Sequence, residues 1–120
     1  MPGKFCVSLT RDKSDPDRVT VAFVVANAAA GSDQETVVFL STDAVQLAVK
    51  GYADDVAEAG FAPLKELMAG FADAGGKIYV CSPCFKKRGL DDTSLVAGAV
   101  LVGGAKLVEF MVGGCPSLSY

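Results

Sequence analysis

The sequence contains no histidine, which is the most common general base in enzyme active sites. The Ser-His-Asp and Cys-His arrangements are therefore excluded, and any reactive thiol must be stabilised by other groups. Basic charge is also scarce, because 11 Lys and Arg stand against 14 Asp and Glu, for a net charge of −3. Nucleic-acid binding needs a basic surface, so this balance argues against a nucleic-acid partner.

Long apolar runs are missing as well. The longest, residues 19–30 and 95–105, fall short of the roughly 20 residues that cross a bilayer. Residues 1–4 lead directly into a strand pattern and contain no apolar signal core. We therefore predict a cytoplasmic protein without a membrane span. In that compartment its four cysteines are expected to be free, reactive or metal-binding rather than structurally bridged.

Apolar residues, in contrast, are abundant. They make up 51% of the 120 residues, and the mean hydropathy is +0.37. A chain of this length is expected to form one domain, residues 1–120, with a substantial core. The high apolar content predicts a sheet that is covered on both faces, together with surface that is buried between subunits.

Strand and helix patterns alternate along the chain. Helix starts are marked by Asp15 with Pro16, by Thr42 or Asp43, and by Pro63. Strands are predicted at residues 4–10, 36–41, 77–80 and 106–112. Helices are predicted to begin after residues 15, 42, 63, 82 and 93, and the last of them to end at residues 103–104. Residues 51–61 are predicted to form a loop or flap. This alternation predicts a parallel α/β sheet with right-handed crossovers.

A turn with two cysteines follows the third strand. Cys81 is predicted to end the strand, Ser82 to cap a helix, and Pro83 to occupy the first helical position. Cys84 would then lie in the first helical turn, so that both thiols are near the positive end of the helix dipole. Three cations follow at once: Lys86, Lys87 and Arg88. Such surroundings lower the pKa of a thiol and make it a usable nucleophile.

Other polar residues are predicted to gather near this turn. Ligands of open parallel sheets bind beyond the carboxyl ends of the strands. The residues that follow the strands are Thr10, Arg11, Ser41, Thr42, Asp43, the segment from Cys81 to Cys84, and the tail after Val112. Asp43 is interpreted first as a helix cap, with ligand orientation or general-base action as the alternative. The three cations are interpreted as a solvated helix end that also holds an anionic sulfur species.

Different roles are predicted for the four cysteines. Cys81 is either a small apolar residue at a strand end or a nucleophile, and its neighbours favour the nucleophile. Cys84 is either a resolving thiol or a packed residue. Cys6 is expected in the core, and Cys115 is either a mobile second thiol or without a role.

Three further site types fit the sequence poorly. The spacing Cys81-x-x-Cys84 is similar to thioredoxin-type redox motifs, although it follows the third strand rather than an early one. A zinc site would need a second paired set of ligands, and we predict no metal. The glycine pairs at residues 103–104 and 113–114 match neither a dinucleotide fingerprint nor a P-loop, so no cofactor is predicted.

Two segments resemble the DsrE/DsrF-like family of small sulfur-relay proteins. One is residues 38–45, VFLSTDAV, and the other is residues 79–90, in which a strand, Cys81, a short helix and Arg88-Gly89 follow one another. The resemblance extends to the first strand with its capped helix, to the helix after the cysteine turn, and to residues 106–112. It covers nearly the whole chain.

The resemblance implies a three-layer α/β/α fold with a mainly parallel sheet, assembled into homotrimers, homohexamers or related hetero-oligomers. It also implies a persulfide on a cysteine that matches Cys81, passed between donor and acceptor proteins in sulfur oxidation or tRNA thiolation. Cys84 departs from the family pattern, as a thiol that sulfur-transfer subunits do not need.

Three hypotheses follow. The first is a cytoplasmic sulfur carrier, or sulfurtransferase, that uses Cys81 as persulfide acceptor. The second is a dithiol oxidoreductase that cycles Cys81 and Cys84. The third is a non-catalytic oligomeric module that binds a small ligand, with Cys81 as part of a pocket wall. The sequence does not name the sulfur donor, the acceptor or the pathway.

Overall fold

Five parallel strands form the sheet on which the structure is built. The structure, a computed structural model, describes residues 3–120. The elements are β1 (Lys4–Leu9), α1 (Pro16–Gly31), β2 (Glu35–Leu40), a 3₁₀ helix (Thr42–Ala48), α2 (Leu64–Asp73), β3 (Lys77–Cys81), α3 (Ser82–Lys87), β4 (Ala99–Val102), α4 (Gly104–Met111) and β5 (Ser117–Ser119). The strand order is β4-β3-β2-β1-β5, and every neighbouring pair is parallel.

Helices pack on both faces of the sheet. Side chains alternate between the faces along each strand, so that Val7 and Val38 enter the larger core while Cys6, Val37 and Tyr79 enter a smaller one. The larger core is closed by α1, α2 and the 3₁₀ helix, and includes an edge-to-face contact between Phe23 and Phe71. The smaller core is closed by α4 and includes such a contact between Tyr79 and Phe110. The predicted three-layer α/β/α fold with a parallel sheet is confirmed.

The first half of the chain folds as its local signals predict. The Asp15 carboxylate accepts a hydrogen bond from the Arg18 N–H at 3.3 Å, and Pro16 is the first residue of α1. Every residue of β2 from Thr36 to Leu40 is buried or half-buried, as expected for a strand that is covered on both faces. The predicted α2 begins directly after Pro63.

The last third of the chain differs from the prediction. Residues 91–98 form turns and the next four residues form β4, where a helix was predicted; residues 104–111 form α4, where a strand was predicted. Both segments are short and apolar, and in such runs the sequence pattern alone does not separate a helix from a strand. The tertiary structure decides between the alternatives, because β4 pairs with the edge of β3, and because the spacing of Leu107, Phe110 and Met111 gives α4 one apolar face over the smaller core.

The predicted loop at residues 51–61 contains only turns and bends, as expected, but it is fixed to the body of the protein. Ala53 and Val56 are buried in the larger core. Lys13 forms an ion pair with Asp55 at 3.2 Å, donates to the Tyr52 carbonyl at 3.2 Å, and lies over the Tyr52 ring. These contacts give no support to a freely moving flap.

The apolar content of the chain is distributed over many short elements. The longest helix, α1, has 16 residues. No helix within residues 3–120 combines the length and the apolar character that a membrane crossing needs.

Gly76, which precedes β3, provides a test of the larger core. A Cβ at this position would overlap the ring of Phe71, which is fully buried. We expect Gly76→Ala to lower the free energy of unfolding by about 2–3 kcal/mol, because a tightly packed core resists added volume. The measurement is equilibrium urea denaturation.

Gly31 supplies the matched control. It is the last residue of α1, and a Cβ there would have open space around it. Gly31→Ala should leave stability unchanged or raise it by up to about 1 kcal/mol, because alanine favours the helical conformation. Equal effects of the two substitutions would contradict the packing argument.

Candidate functional site

The candidate site lies where β3 passes directly into α3. Cys81 is the last residue of β3 and occupies the cap position, so the helix begins at Ser82, one residue earlier than predicted. The predicted capping role of Ser82 is therefore wrong, and Pro83 is the second helical residue. Phe85 is buried and anchors α3 in the larger core. Both thiols are consequently held by elements that are themselves fixed.

The two thiols of this junction are free, half-buried and in mutual contact. The pKa of Cys84 is lowered first by a hydrogen bond from the Cys81 thiol, and further by the backbone N–H of Thr42 and the charges of Arg88 and Lys87. The pKa of Cys81 is raised, first by burial and then by the Cys84 thiol, and the N–H of Cys84 and the charge of Arg88 oppose this more weakly. Cys84 is thus the more acidic member of the pair, whereas the sequence led us to expect the stabilised thiolate on Cys81.

Arg88 connects the site to the end of the neighbouring strand. Its guanidinium donates to the Asp43 carboxylate from Nη2 at 2.8 Å and from Nε at 3.3 Å, and Nη1 donates to the Cys84 carbonyl at 3.1 Å. Asp43 therefore holds a cation beside the thiols. The predicted capping role of Asp43 is wrong, because the 3₁₀ helix begins after Ser41 without a side-chain cap.

Thr10 and Thr42 extend the site toward β1 and β5. The Thr42 hydroxyl is within hydrogen-bond distance of two carbonyls, that of Thr10 at 2.9 Å and that of Ser41 at 2.7 Å, and the Thr10 N–H donates to the Tyr120 carbonyl at 3.1 Å. The strand ends predicted to converge do so at these residues. Sequence analysis gave no sign of the Thr42 main chain, which has a positive φ of 52°. A glycine or asparagine would have marked such a position, and threonine does not.

Not every candidate residue joins the site. Arg11 is exposed, and its charge acts on Asp15 at the start of α1. Lys86 and Lys87 are exposed on α3, and only Lys87 affects a thiol pKa. Ser41 contributes main-chain hydrogen bonds, including its N–H to the Leu9 carbonyl.

The other two cysteines lie apart from the pair. Cys6 is near the start of β1 in the smaller core, and burial raises its pKa to about 11, with a further contribution from Cys115. Cys115 is half-buried at the edge of the same core. Among residues 3–120, no group of three or more His, Cys, Asp or Glu side chains is arranged to hold a metal ion.

A separate cavity of about 330 Å³ lies beside α2. Its walls are mainly apolar and include Val49, Met68 and Val96, with Lys50 and Lys65 among the charged residues. Neither cysteine of the pair contributes to it. The thiol chemistry and this cavity are therefore distinct features of the molecule.

The chain is similar to known proteins over nearly its whole length. The profile of the DsrE/DsrF-like family matches residues 3–114. The uncharacterized protein MJ0760 of Methanocaldococcus jannaschii is 26% identical over 102 residues, which are 85% of this chain and 37% of that protein. The chain thus spans little more than a third of the length of that curated relative.

Two solved structures share the fold. The ychN protein from E. coli superimposes with a TM-score of 0.74 at 14% identity, over 98% of this chain and 99% of that chain. The protein of unknown function MTH1491 from Methanobacterium thermoautotrophicum gives a TM-score of 0.72 at 15% identity, over 98% of this chain and all of that chain, 100%. Both comparisons agree with a parallel α/β sheet covered on two faces.

The acidity of the two thiols can be compared directly by limited alkylation. Because the pKa of Cys84 is lowered and that of Cys81 is raised, iodoacetamide below stoichiometric amounts at neutral pH should label Cys84 about threefold to tenfold more than Cys81. Tandem mass spectrometry of tryptic peptide 78–86, which contains both residues, locates the label. As the pH rises, Cys84 should react first, and Cys115, whose pKa burial raises, should react later. Preferential labelling of Cys81 would show that the assignment is reversed.

The role of Arg88 is tested by removing its charge. Arg88→Gln should slow the alkylation of Cys84 at neutral pH by about threefold or more, because a nearby cation that favours the thiolate is lost. Lys106→Gln is the matched control, since Lys106 pairs with Glu109 on α4 and has no contact with the pair. An equal effect of both substitutions would mean that only net charge matters.

Proposed function

The chain belongs to the DsrE/DsrF-like family, and on that premise we propose that it is a sulfur-relay protein. The proposal assigns a persulfide to Cys81, from which the sulfur passes to a partner protein. The observation that carries it is the contact between a raised-pKa thiol, Cys81, and a lowered-pKa thiol, Cys84, at a fixed junction. Membership of the family does not by itself assign a role to any residue, whereas this contact allows the proton of the Cys81 thiol to pass to Cys84.

The chemistry uses a donor that carries sulfane sulfur, R–S–SH. Cys81 transfers its proton to the Cys84 thiolate and attacks the outer sulfur of the donor, so that the new Cys81–S bond forms as the donor S–S bond breaks. The donor leaves as a thiolate and takes up a proton as R–SH. Because the two thiols interact directly, the ionisation belongs to the pair rather than to either residue. Arg88, whose charge acts on Cys81, favours the anionic form of the product persulfide.

The reverse step delivers the sulfur. An acceptor thiolate attacks the outer sulfur of the persulfide, and Cys81 leaves with a proton returned by Cys84. No net oxidation or reduction takes place, so neither metal nor cofactor is required. The acceptor and the donor are proposed to be proteins of the cytoplasm.

We propose further that the protein acts as a homo-oligomer, a trimer or a hexamer. Three valines support this part of the proposal, because Val100, Val108 and Val112 are 46%, 60% and 65% exposed on the face of the sheet that α4 covers. α4 has only eight residues and is the only helix packed into the smaller core among residues 3–120. A second copy of the chain would bury this apolar surface.

A second candidate function is dithiol–disulfide exchange by Cys81 and Cys84. The hydrogen bond between their thiols favours it, since the same contact suits disulfide formation. In that reaction Cys84, as the more acidic thiol, would attack the disulfide of a substrate, and Cys81 would resolve the mixed disulfide.

Intact-protein mass spectrometry distinguishes the candidates. After incubation with a small sulfane-sulfur donor, the wild-type chain should gain about 32 Da per accepted sulfur atom, and Cys81→Ser should abolish the gain. A gain that persists in Cys81→Ser and vanishes in Cys84→Ser would instead make Cys84, the more acidic thiol, the sulfur acceptor. Cys84→Ser should slow the gain at neutral pH without preventing it, because the proton acceptor is lost. Cys115→Ser is the matched control and should behave as wild type.

Two other results would redirect the assignment. Loss of about 2 Da that needs both Cys81 and Cys84, without a gain of sulfur, would indicate the oxidoreductase. No mass change in any form would contradict both candidates and would leave a ligand-binding role, for which the cavity beside α2 is the place to look.

A further inference from the structure

The cavity of about 330 Å³ beside α2 is built from three segments that are distant in sequence. Residues between 49 and 54 form its first wall, residues of α2 between 65 and 69 form the second, and residues 96–97 form the third. Its volume lies near the lower end of the range of small-molecule sites, roughly 300–1,000 Å³. The cavity is therefore large enough for a small ligand, and the proposed relay makes no use of it.

Main-chain hydrogen bonds hold the three walls in place. The Lys50 N–H donates to the Ser94 carbonyl and the Val96 N–H donates to the Ala48 carbonyl, both at 2.8 Å, so that the first wall is joined to the third. The first residue of α2 donates its N–H to the Val56 carbonyl at 3.0 Å, which ties the second wall to the segment that continues the first. The cavity is consequently preformed, and a ligand that enters it need not order a loop at the cost of affinity.

The apolar part of the lining is aliphatic. Ala53 and Met68 are buried, and Val49 and Val96 are half-buried around them. No aromatic side chain within residues 3–120 lines the cavity. A flat ring would therefore find no aromatic partner to stack on, whereas an aliphatic chain would be removed from water by these walls.

Two lysines line the cavity from different walls. Lys65 shares one face of α2 with Met68 and Ala69, because residues three and four apart are neighbours on a helix, and Lys50 belongs to the first wall. Both lysines are exposed, and the ion pairs within residues 3–120 include neither of them. Asp54 is the remaining charged residue of the lining, so two positive charges and one negative charge give a net charge of +1. This is a local excess of positive charge on a chain whose net charge is −3.

We propose that this cavity binds a small aliphatic carboxylate, with its chain against the apolar walls and its charged group beside Lys50 and Lys65. A monoanion matches the net charge of the lining, whereas a phosphate monoester carries close to two negative charges at neutral pH. Within residues 3–120 the lining also contains no arginine, the side chain that binds phosphate through two parallel hydrogen bonds. This binding site goes beyond the proposed relay and does not depend on it.

The test is an NMR titration of the ¹⁵N-labelled full chain with octanoate. The largest amide shifts should fall in residues 49–54, 65–69 and 96–97, which form the walls. Octanoate should bind about tenfold more tightly than hexanoate, because two further methylene groups are buried. 1-Octanol, which has the chain without the charge, should bind about threefold more weakly than octanoate, since it gains no ion pair. Acetate, which has the charge without the chain, should show no saturable binding.

Charge-removing variants test the two lysines. Lys50→Gln and Lys65→Gln should each weaken octanoate binding by about twofold to fivefold, the usual size of an exposed ion pair, and should leave 1-octanol binding unchanged. Lys77→Gln is the matched control, because Lys77 is exposed at the start of β3 and does not line the cavity. It should bind octanoate as wild type does.

Cavity-filling variants provide a second test. Ala69 and Ala97 line the cavity from different walls and are both exposed, so a larger side chain at either position does not enter the core. Ala69→Trp and Ala97→Trp should each weaken octanoate binding by about tenfold or more, because the indole takes the space in which the chain is buried. Ala105→Trp, at an exposed position of α4, is the matched control. Circular dichroism spectra confirm that each variant is folded.

Each contrary result overturns a stated part of the proposal. Absence of saturable shifts with octanoate, or shifts confined to the face of Val100, Val108 and Val112, would overturn the site. Equal binding of 1-octanol and octanoate, or an equal loss in Lys77→Gln, would overturn the role of the two lysines. Tighter binding of octyl phosphate than of octanoate would overturn the assignment to a carboxylate. None of these measurements involves sulfur transfer, so the failure of this site and the failure of the relay are distinguishable.

Discussion

The parallel register of β1, β2 and β3 is the constraint on which the rest of the site depends. Leu9 pairs with Leu40, and Leu40 pairs with Val80, so the three strands end at the same level. The residues that follow are Thr10, Ser41 and Cys81, and they are therefore brought to one edge of the sheet together with Thr42. The hydrogen bonds and the ion pair of the site connect residues at neighbouring strand ends, and a shift of one residue in the register of any strand would break them.

The acidity of the thiols illustrates how strongly local geometry outweighs sequence position. Cys81 has the position that usually benefits from a helix N-terminus, yet burial at the strand end dominates its ionisation. Cys84 lies one turn further along and receives a thiol hydrogen bond, a backbone N–H and two cations. The cations alone are visible in the sequence. The N–H comes from another element, and the order of acidity could not be derived without it.

The sequence predicted the half of the fold in which local and tertiary preferences agree. Asp15 and Pro16 mark the start of α1, and the β-branched and aromatic residues in the apolar run of β2 favour a buried strand. The assignment failed at residues 95–112, where short apolar segments fit either structure and where pairing with β3 decided the outcome. For the site, the cysteine turn, Asp43 and Arg88 were found from residue type and position. The positive φ of Thr42 was not predicted, because a threonine side chain does not indicate a left-handed main chain.

The direct passage from β3 into α3 has a consequence for the proposed sulfur relay. A reactive group on a loop can be carried toward its partner by main-chain motion, but here the main chain on both sides of Cys81 belongs to a regular element. An added sulfur extends the side chain by a single bond of about 2 Å, and rotation about the side-chain bonds is the only reach available. In the proposed relay, a partner would therefore have to bring its own thiol to this junction, so that the shape of the partner, rather than the mobility of this protein, would select where the sulfur goes.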